Sequence, residues 1–507
     1  MQNFTRFRFA ALAAVAVAAA GCSKFLDVNA SPNNPTVVQP AVQLPTIAIG
    51  TGFVLGNTLG RDGDLFIQHY AGIANQPFTE DKYAISGNYD NEWRNDLYGN
   101  NLIGAQTLIA STQGTSPAYS GIAKLLKAYN FALATDMWGD VPYSQALQGL
   151  GSIQPAFDKQ QDIYEGATGI QSLFDLVREG LADLDKPGTL APGGDDFVYK
   201  GDLTKWKKAG NMLLLKFANT VSKKDPVLAA KVINEVLTKG ADGSAAIYAN
   251  TEDLAVPFGT AVGNTNPFYS YNVTNRPNDQ MASTRFLDSL AAYKDPRMPK
   301  YFTTTPTYTA PTEVTPFGKF TGFENGSNAT APSRTAAVNN RSVYNTYVLG
   351  NAGEAPVRLL TNFQRCFILA EAVITLKTPG VADSLYKQGI RASMQETGLS
   401  QNDINSYFKA NPAIVTLSGT DAHKVNQIIR QKWTAWVGNG YEAWNDYRRT
   451  GYPRLQPALN VSFTPNIPQR LLYPPSEVAA NGGNMPTVTI ATPVWWTSTP
   501  NPLYYAN

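Results

Sequence analysis

The sequence YNFALATDMWGDVPYSQAL, residues 129–147, carries a helix into an extended turn. The helix begins earlier, because apolar residues recur at the spacing of one helix face: Ile122, Leu125, Leu126, Tyr129 and Leu133. Gly139 is a typical helix end, and Pro142 cannot continue the helix because it lacks a backbone N–H group. The stretch therefore predicts a helix that ends in a sharp change of direction.

Asp136 and Asp140 lie four residues apart in this stretch, and two interpretations of them are open. As paired carboxylates they would perform acid/base chemistry of the kind used by glycoside hydrolases. Alternatively, the helix ends at Gly139 and the Asp140 side chain holds the turn through hydrogen bonds. The sequence places no nucleophile or metal ligand beside them, which favours the structural interpretation.

Other segments of the chain also show the periodicity of amphipathic helices. Apolar residues at 170–184 follow one helix face, and LTKWKKAGNMLLLKFANTV at 203–221 marks another helix. Asp225 followed by Pro226 is a typical helix start. Residues 357–376 are apolar nearly all round, which predicts a helix buried between others.

The whole pattern predicts a mainly α fold in which tetratricopeptide-like helical hairpins form one domain, although no clean period of about 34 residues is present. A last long helix is expected from His423 to Arg449, where apolar residues again follow one stripe. Between about residues 250 and 350 the helical pattern mostly fails, which predicts long irregular loops with a few short strands. No linker divides residues 41–507, so a single domain is predicted there.

The composition restricts the classes of partner. Lys plus Arg number 41 and Asp plus Glu 39, a net charge of +2, which indicates neither a nucleic-acid nor a polyanion partner. Only 16% of residues are charged, while Tyr, Phe and Trp number 25, 23 and 8. This composition indicates polar loops with many aromatic side chains.

The first 21 residues resemble a lipoprotein signal peptide. Arg6 and Arg8 precede the apolar stretch Phe9–Ala20, which is shorter than the roughly 20 apolar residues of a membrane-spanning helix. Small residues then precede Cys22, the expected site of lipidation. Ala19 stands where a lipobox usually has Leu, so an ordinary signal-peptidase site is an alternative, as is a buried N-terminal helix.

Residues 22–40 form the predicted lipidated tether, which Pro32, Pro35 and Pro40 keep from being helical. Its oxygen-bearing side chains at 27–31 are faintly similar to the start of a calcium loop but lack the Gly and the Glu that such a loop needs. Cys366, the other cysteine, lies in an apolar run and is predicted to be a core residue without a disulfide.

Six segments, in order along the chain, resemble the SusD/RagB family of outer-membrane lipoproteins and its SusD-like subgroup. The matching segments are CSKFLDVNASPNNPT (22–36), YNFALATDMWGDVPYSQAL (129–147), KWKKAGNMLLLKFA (205–218), DPRMPKYF (295–302), IIRQKWTAWVGNGYEAWNDYRRTGYP (428–453) and IPQRLLYPPSE (467–477). The second and fifth are the most specific, and together the segments span nearly the whole mature chain.

The resemblance implies a non-catalytic, lipid-anchored protein on the outer face of the outer membrane. Such a protein captures an oligosaccharide, or a peptide, and delivers it to a SusC-like TonB-dependent transporter. No cofactor, metal or nucleic acid is implied, and the N-terminal lipid is the only membrane contact. Packing of the tether on the transporter is one interpretation of its polar residues, and simple Asx turns are the other. The contact residues would be Asp27, Asn29, Asn33 and Asn34.

Aromatic residues in loops are the candidates for ligand contact. The C–H faces of a sugar pack on aromatic rings, and its hydroxyl groups need polar side chains at the edge. The residues with this chemistry are Tyr83, Tyr89, Trp93, Tyr269, Tyr271, Arg276 and Tyr344. For each of them, packing under its own loop is an equal alternative. The tryptophans assigned to the core are Trp138, Trp206, Trp433, Trp436 and Trp444.

Two other classes of function stay open at this stage. A surface glycoside hydrolase would need two carboxylates about 5–10 Å apart across a cleft. A helical-repeat scaffold that contacts only protein would have no exposed aromatic site. His69 and His423, the only histidines, stand far apart in sequence, which argues against a shared metal site.

Overall fold

The structure is a computed structural model that describes residues 38–239, 246–309, 312–335 and 338–497. Most of its regular structure is helical, which confirms the predicted mainly α class. The α-helices, in chain order, are α1 (Pro40–Val54), α2 (Gly60–Phe66), α3 (Asn75–Glu80), α4 (Ile103–Thr112), α5 (Pro117–Trp138), α6 (Gln160–Glu165), α7 (Leu173–Asp183), α8 (Leu203–Val221), α9 (Pro226–Thr238), α10 (Pro267–Tyr269), α11 (Thr284–Ala292), α12 (Met298–Tyr301), α13 (Thr346–Leu349), α14 (Asn362–Thr375), α15 (Ala382–Glu396), α16 (Gln401–Ala410), α17 (Pro412–Val415), α18 (Asp421–Ala435), α19 (Gly440–Thr450) and α20 (Pro475–Asn481).

Short strands form two-stranded antiparallel pairs, and no larger sheet occurs among the described residues. The pairs are β1 (Tyr70–Gly72) with β5 (Gln280–Ala282), β2 (Val141–Pro142) with β3 (Phe157–Asp158), β4 (Leu254–Val256) with β8 (Val357–Leu360), and β6 (Glu313–Thr315) with β7 (Gly318–Phe320). The π-helical segments are Leu55–Leu59, Asn91–Leu102 and Ser270–Asn275. Single 3₁₀ turns occupy Gly149–Gly151 and Asn250–Glu252.

Neighbouring long helices pack in pairs, as in helical-hairpin proteins. Helix α5 packs on α4 and α7, α8 packs on α9, and α14 packs on α15. Gly121 of α5 and Gly180 of α7 allow one of the closest approaches. A Cβ atom on Gly121 would lie 2.7 Å from the Gly180 carbonyl oxygen, so any larger residue would push the two helices apart.

The turn after α5 follows the structural interpretation of the sequence. Helix α5 ends at Trp138, and Gly139 takes a φ of +80°, which favours glycine. One carboxylate oxygen of Asp140 accepts a hydrogen bond from the backbone N–H of Gln160 at 2.8 Å. Asp140 therefore holds the turn against the start of α6.

The predicted single helix from His423 to Arg449 was wrong, because the structure has two helices there. Helix α18 ends at Ala435, and Gly438 takes a φ of +86°. Asn439 then caps α19, since its side-chain oxygen accepts from the Glu442 N–H. The Gly438-Asn439-Gly440 sequence is thus a helix break, although the apolar stripe continues across it.

Residues 357–376 were predicted as one helix, but they form strand β8 followed by helix α14. Thr361, between the two, is the N-cap of α14. The predicted burial of this segment is confirmed, since almost every side chain of α14 is buried.

One continuous set of contacting apolar side chains runs from Leu44 in α1 to Trp496 near the end of the described chain. The five tryptophans assigned to the core are all buried there, which confirms that assignment. Cys366 is a buried free thiol, as predicted.

Candidate functional site

Four of the predicted ligand contacts lie in the core and not on the surface. These are Tyr83, Tyr89, Trp93 and Tyr344, and none is more than 3% exposed. A sugar needs access to a ring face, so their positions do not support the predicted ligand contact. Their burial agrees with packing inside the protein, which was the alternative interpretation.

The polar ends of these four side chains are occupied by protein groups. Tyr89 donates to Asp62 at 2.8 Å, and Tyr344 donates to Asp64 at 2.6 Å. The Trp93 indole N–H donates to Glu477 at 3.2 Å, and its ring meets the Trp138 ring edge to face. The hydroxyl of Tyr83 accepts a hydrogen bond from the backbone of Ala458. These hydrogen bonds hold the segments that carry the four side chains against the rest of the protein.

The other three predicted residues lie on one segment of the chain, and none of them is fully buried. Tyr269 and Tyr271 are half-buried, and Arg276 is exposed. Helix α10 starts this segment, with Pro267 in its first turn and the Asn266 side chain accepting from the Phe268 N–H at 2.8 Å. The π-helical turn Ser270–Asn275 continues it. We call the half-buried and exposed residues Tyr269, Tyr271, Asn275, Arg276 and Asn278 of this part of the chain the loop face.

Tyr271 is held in place by two charged groups. The guanidinium carbon of Arg61 lies 3.5 Å from the centre of its ring, a cation–π contact. Its hydroxyl lies 3.5 Å from the carboxylate of Asp279, which is buried and accepts a second hydrogen bond from Asn75 at 2.8 Å. These two contacts restrict the orientation of the Tyr271 ring.

Two more arginines support the loop face from the side. Arg334 donates to the Pro277 carbonyl at 2.5 Å, and Arg341 donates to the Asn278 carbonyl at 3.4 Å. Burial, together with the neighbouring Arg334 charge, lowers the pKa of Arg341. Sequence reasoning missed both arginines, and it also missed Arg61, Asn75 and Asp279. Their contacts join parts of the chain that are far apart in sequence.

A group of carboxylates lies beneath Arg61. Asp62 and Glu80 share a hydrogen bond, and both are buried. Burial, followed by the charge of Glu80, raises the pKa of Asp62, while Arg61 opposes this rise. Burial likewise raises the pKa of Glu80. The two carboxyl groups are hydrogen-bonded to each other and buried, whereas glycoside hydrolysis requires two carboxylates about 5–10 Å apart across a cleft.

Asp136, the other carboxylate considered for catalysis, is buried, and both of its carboxylate oxygens accept hydrogen bonds from core residues. One of its oxygens accepts from Tyr164 and from the Trp496 indole, and the other accepts from Tyr441 and Asn445, at 2.7–2.9 Å. Four buried donors saturate its acceptor sites. The role of Asp136 is therefore structural.

Asp288 and Glu313 also share a hydrogen bond near the surface. Burial and the charge of Glu313 raise the pKa of Asp288 to about 7. As with Asp62 and Glu80, the two carboxyl groups touch, which leaves no space between them for a water or a sugar.

The two histidines do not meet. His69 is buried, with Nδ1 2.8 Å from Asp64 and Nε2 2.9 Å from the Trp433 carbonyl oxygen, so both nitrogens are occupied. His423 is exposed in the first turn of α18. In the part of the chain that the structure describes, no group of three His, Cys, Asp or Glu side chains could hold a metal ion.

The predicted lipidation and transporter-contact residues, Cys22, Asp27, Asn29, Asn33 and Asn34, lie outside the described residues. Among the residues that are described, no helix is both long enough and apolar enough to cross a membrane.

Comparison with known proteins agrees with this architecture. The sequence model of the SusD-like family described as "Starch-binding associating with outer membrane" matches residues 32–474. The chain belongs to the SusD-like family. This finding confirms the resemblance carried by the six sequence segments. Among curated proteins, none is similar in sequence at a significant level.

Solved structures of SusD-like proteins have the same fold. A chitin-binding protein is 26% identical, with a TM-score of 0.75 over 91% of this chain and 100% of its own. A chitin-binding SusD homolog from Flavobacterium johnsoniae is 22% identical, with a TM-score of 0.72 over 90% and 98%. A SusD homolog from Bacteroides uniformis is 22% identical, with a TM-score of 0.71 over 90% and 99%.

Proposed function

We propose that this protein is a non-catalytic, surface-anchored binding lipoprotein of the outer membrane that captures an oligosaccharide. It passes the oligosaccharide to a SusC-like TonB-dependent transporter. Two findings support the proposal: the family match over residues 32–474, and the 26% identity to a chitin-binding protein over nearly the full length of both chains.

The loop face is the observation that carries the binding role. Tyr269 and Tyr271 offer partly exposed rings for the C–H faces of a sugar. Asn275, Arg276 and Asn278 are exposed beside them and can bond to hydroxyl groups. A shallow surface of this kind binds with modest affinity, about micromolar for an oligosaccharide.

The carboxylates described above favour binding without hydrolysis. The Asp62–Glu80 pair and Asp136 are buried, and the Asp288–Glu313 pair is in direct contact. None of them forms the spaced pair that a glycosidase needs. The proposed tether through Cys22 places the protein at the membrane. Asp27, Asn29, Asn33 and Asn34 are the proposed contacts with the transporter.

Calorimetry tests the proposed function. The lipid-free mature protein is titrated with chito-oligosaccharides, malto-oligosaccharides and peptides of similar length, and the mixtures are then chromatographed. We expect saturable binding of at least one oligosaccharide series and recovery of intact ligand. Binding of peptides alone would mean that the ligand of this protein is a peptide and not an oligosaccharide. Shortened products would show an enzyme, and no binding of any ligand would favour a scaffold.

A further inference from the structure

An open pocket of about 320 Å³ lies between α11, α18 and the segment that follows α19. Helix α11 contributes Arg285 and Ser289, and α18 contributes Asn426 and Arg430. In each helix the two residues are four positions apart, so they lie on one face. Arg454 completes the wall, and we call this the arginine pocket.

The arginine pocket concentrates positive charge. Three of its lining residues are arginines and none is acidic, while the whole chain carries a net charge of only +2. Glu324 approaches Arg285 at 3.5 Å from outside the lining and is 43% exposed, so solvent weakens its effect. Positive groups that converge on a concave surface attract anions.

Arg430 is the group best placed to meet a ligand. Its guanidinium donates to the Tyr293 hydroxyl at 3.0 Å and to the Ser289 hydroxyl at 3.1 Å, and both of these partners are neutral. No carboxylate among the described residues forms an ion pair with Arg430. Arg285, in contrast, is held by the carbonyl oxygens of Gln456 and Pro457 at 2.6 and 3.1 Å.

We propose that the arginine pocket binds the oxyanion of an acidic sugar, either the carboxylate of a uronic acid or a sulfate ester. The planar guanidinium group of Arg430 matches both oxyanions with two parallel hydrogen bonds. Asn426 and Ser289 lie beside it and suit sugar hydroxyl groups. A volume of 320 Å³ is at the small end of ligand sites, about 300–1,000 Å³, which suits one sugar unit.

This inference rests on the proposed function for the nature of the ligand, but it concerns a site separate from the loop face. The pocket selects for a charged unit, whereas the loop face packs against rings of any charge. Acidic oligosaccharides therefore gain affinity over neutral ones of equal length.

The pocket is tested by titrating the lipid-free protein with glucuronate, glucose 6-sulfate, glucose and inorganic sulfate. Ligand-observed NMR measures the binding of each. Both acidic sugars are expected to bind at least about tenfold more tightly than glucose, because charged hydrogen bonds are the stronger ones. Tighter binding of only one acidic sugar identifies which oxyanion the pocket takes. Inorganic sulfate binding without any preference for acidic sugars overturns the inference.

Two pairs of variants localise the effect. Arg430→Gln removes the charge from the pocket, and Asn426→Asp introduces an opposing one, so each weakens binding of acidic sugars by about tenfold or more. The controls are Arg391→Gln and Asn405→Asp. Arg391 is likewise half-buried, donates to Asn405 at 3.0 Å and stacks on Phe408, but it lies outside the pocket. Equal effects of test and control variants overturn the inference.

The two proposals fail in different ways. If neutral oligosaccharides bind and acidic sugars gain nothing, the pocket inference is wrong and the proposed function stands. If acidic sugars bind through Arg430 and neutral oligosaccharides do not bind at all, the loop face is wrong and the pocket stands.

Discussion

Arg449 and Glu371 form a bidentate ion pair inside the helical core, with nitrogen–oxygen distances of 2.6 and 2.7 Å. Both side chains are 2% exposed. The pair joins α19 to α14, and Asp446 and Asn219 contribute further polar contacts to it. Because both charges are desolvated, loss of Arg449 would leave the buried carboxylate of Glu371 without its ion-pair partner.

Replacement of Arg449 by Met should destabilise the protein by about 3–5 kcal/mol, the usual cost of breaking a buried pair from one side. Urea denaturation followed by circular dichroism measures this change. Lys377→Met is the control, because Lys377 pairs with Asp421 at the exposed surface and should leave the free energy of unfolding nearly unchanged. Equal midpoints for both variants and the wild type would contradict a stabilising role.

Acid should remove the stabilisation that comes from Glu371. Burial alone would raise the pKa of Glu371, but the charge and hydrogen bonds of Arg449 outweigh it and lower the pKa from 4.5 to about 2. A lowered folded-state pKa stabilises the protein above pH 4.5, by about 3 kcal/mol, and this contribution disappears as the pH falls towards 2.

Urea titrations at a series of pH values compare the wild type with Glu371→Gln. The free energy of unfolding of the wild type should fall more steeply than that of the variant between about pH 4.5 and pH 3. Parallel curves would show that the carboxylate does not have a lowered pKa.

Asp136→Asn should destabilise the protein, because an amide nitrogen would face two buried donors where an oxygen now accepts. The expected loss is about 1–3 kcal/mol in the free energy of unfolding. Thermal unfolding measures it, with Asp185→Asn as the control, since Asp185 is 67% exposed. An unchanged melting temperature for Asp136→Asn would contradict the four-donor arrangement.

Cys22→Ala should release the mature protein from the membrane, because the proposed lipid is its only anchor. Sedimentation of membranes followed by immunoblotting measures the distribution. Cys366→Ala is the matched control and should stay with the membrane fraction, since Cys366 is a buried core thiol. Membrane association of Cys22→Ala would mean that another segment anchors the chain.

The sequence was sufficient for the features that depend on local pattern. The spacing of apolar residues before Tyr129 predicted helix α5, and Gly139 and Asp140 predicted the turn that follows it. The helix break at Gly438 was missed because the apolar stripe runs through it, although two glycines flank the Asn439 cap. A stripe of apolar residues indicates which side chains are buried. It does not reveal a break in the helix when the same side chains stay buried on both sides of the break.

The candidate site was only partly predictable, because exposure depends on tertiary packing. In sequence, Tyr89 and Tyr271 are both loop tyrosines near acidic residues, yet the first is buried against Asp62 and the second is only half-buried, with Arg61 over its ring. No local pattern distinguishes them. The arginine pocket was invisible for the same reason, since Arg285 and Arg430 are far apart in sequence and meet only in the fold.

The most direct test of the account is a titration of the wild type, Tyr271→Ala and Tyr248→Ala with a chito-oligosaccharide. Tyr248 is a fair control, because it is 46% exposed and also carries a guanidinium, from Arg365, over its ring. Tyr271→Ala should weaken binding by about tenfold or more, as loss of ring stacking would, while Tyr248→Ala should bind like the wild type. Wild-type affinity in Tyr271→Ala would contradict the loop face as the binding site.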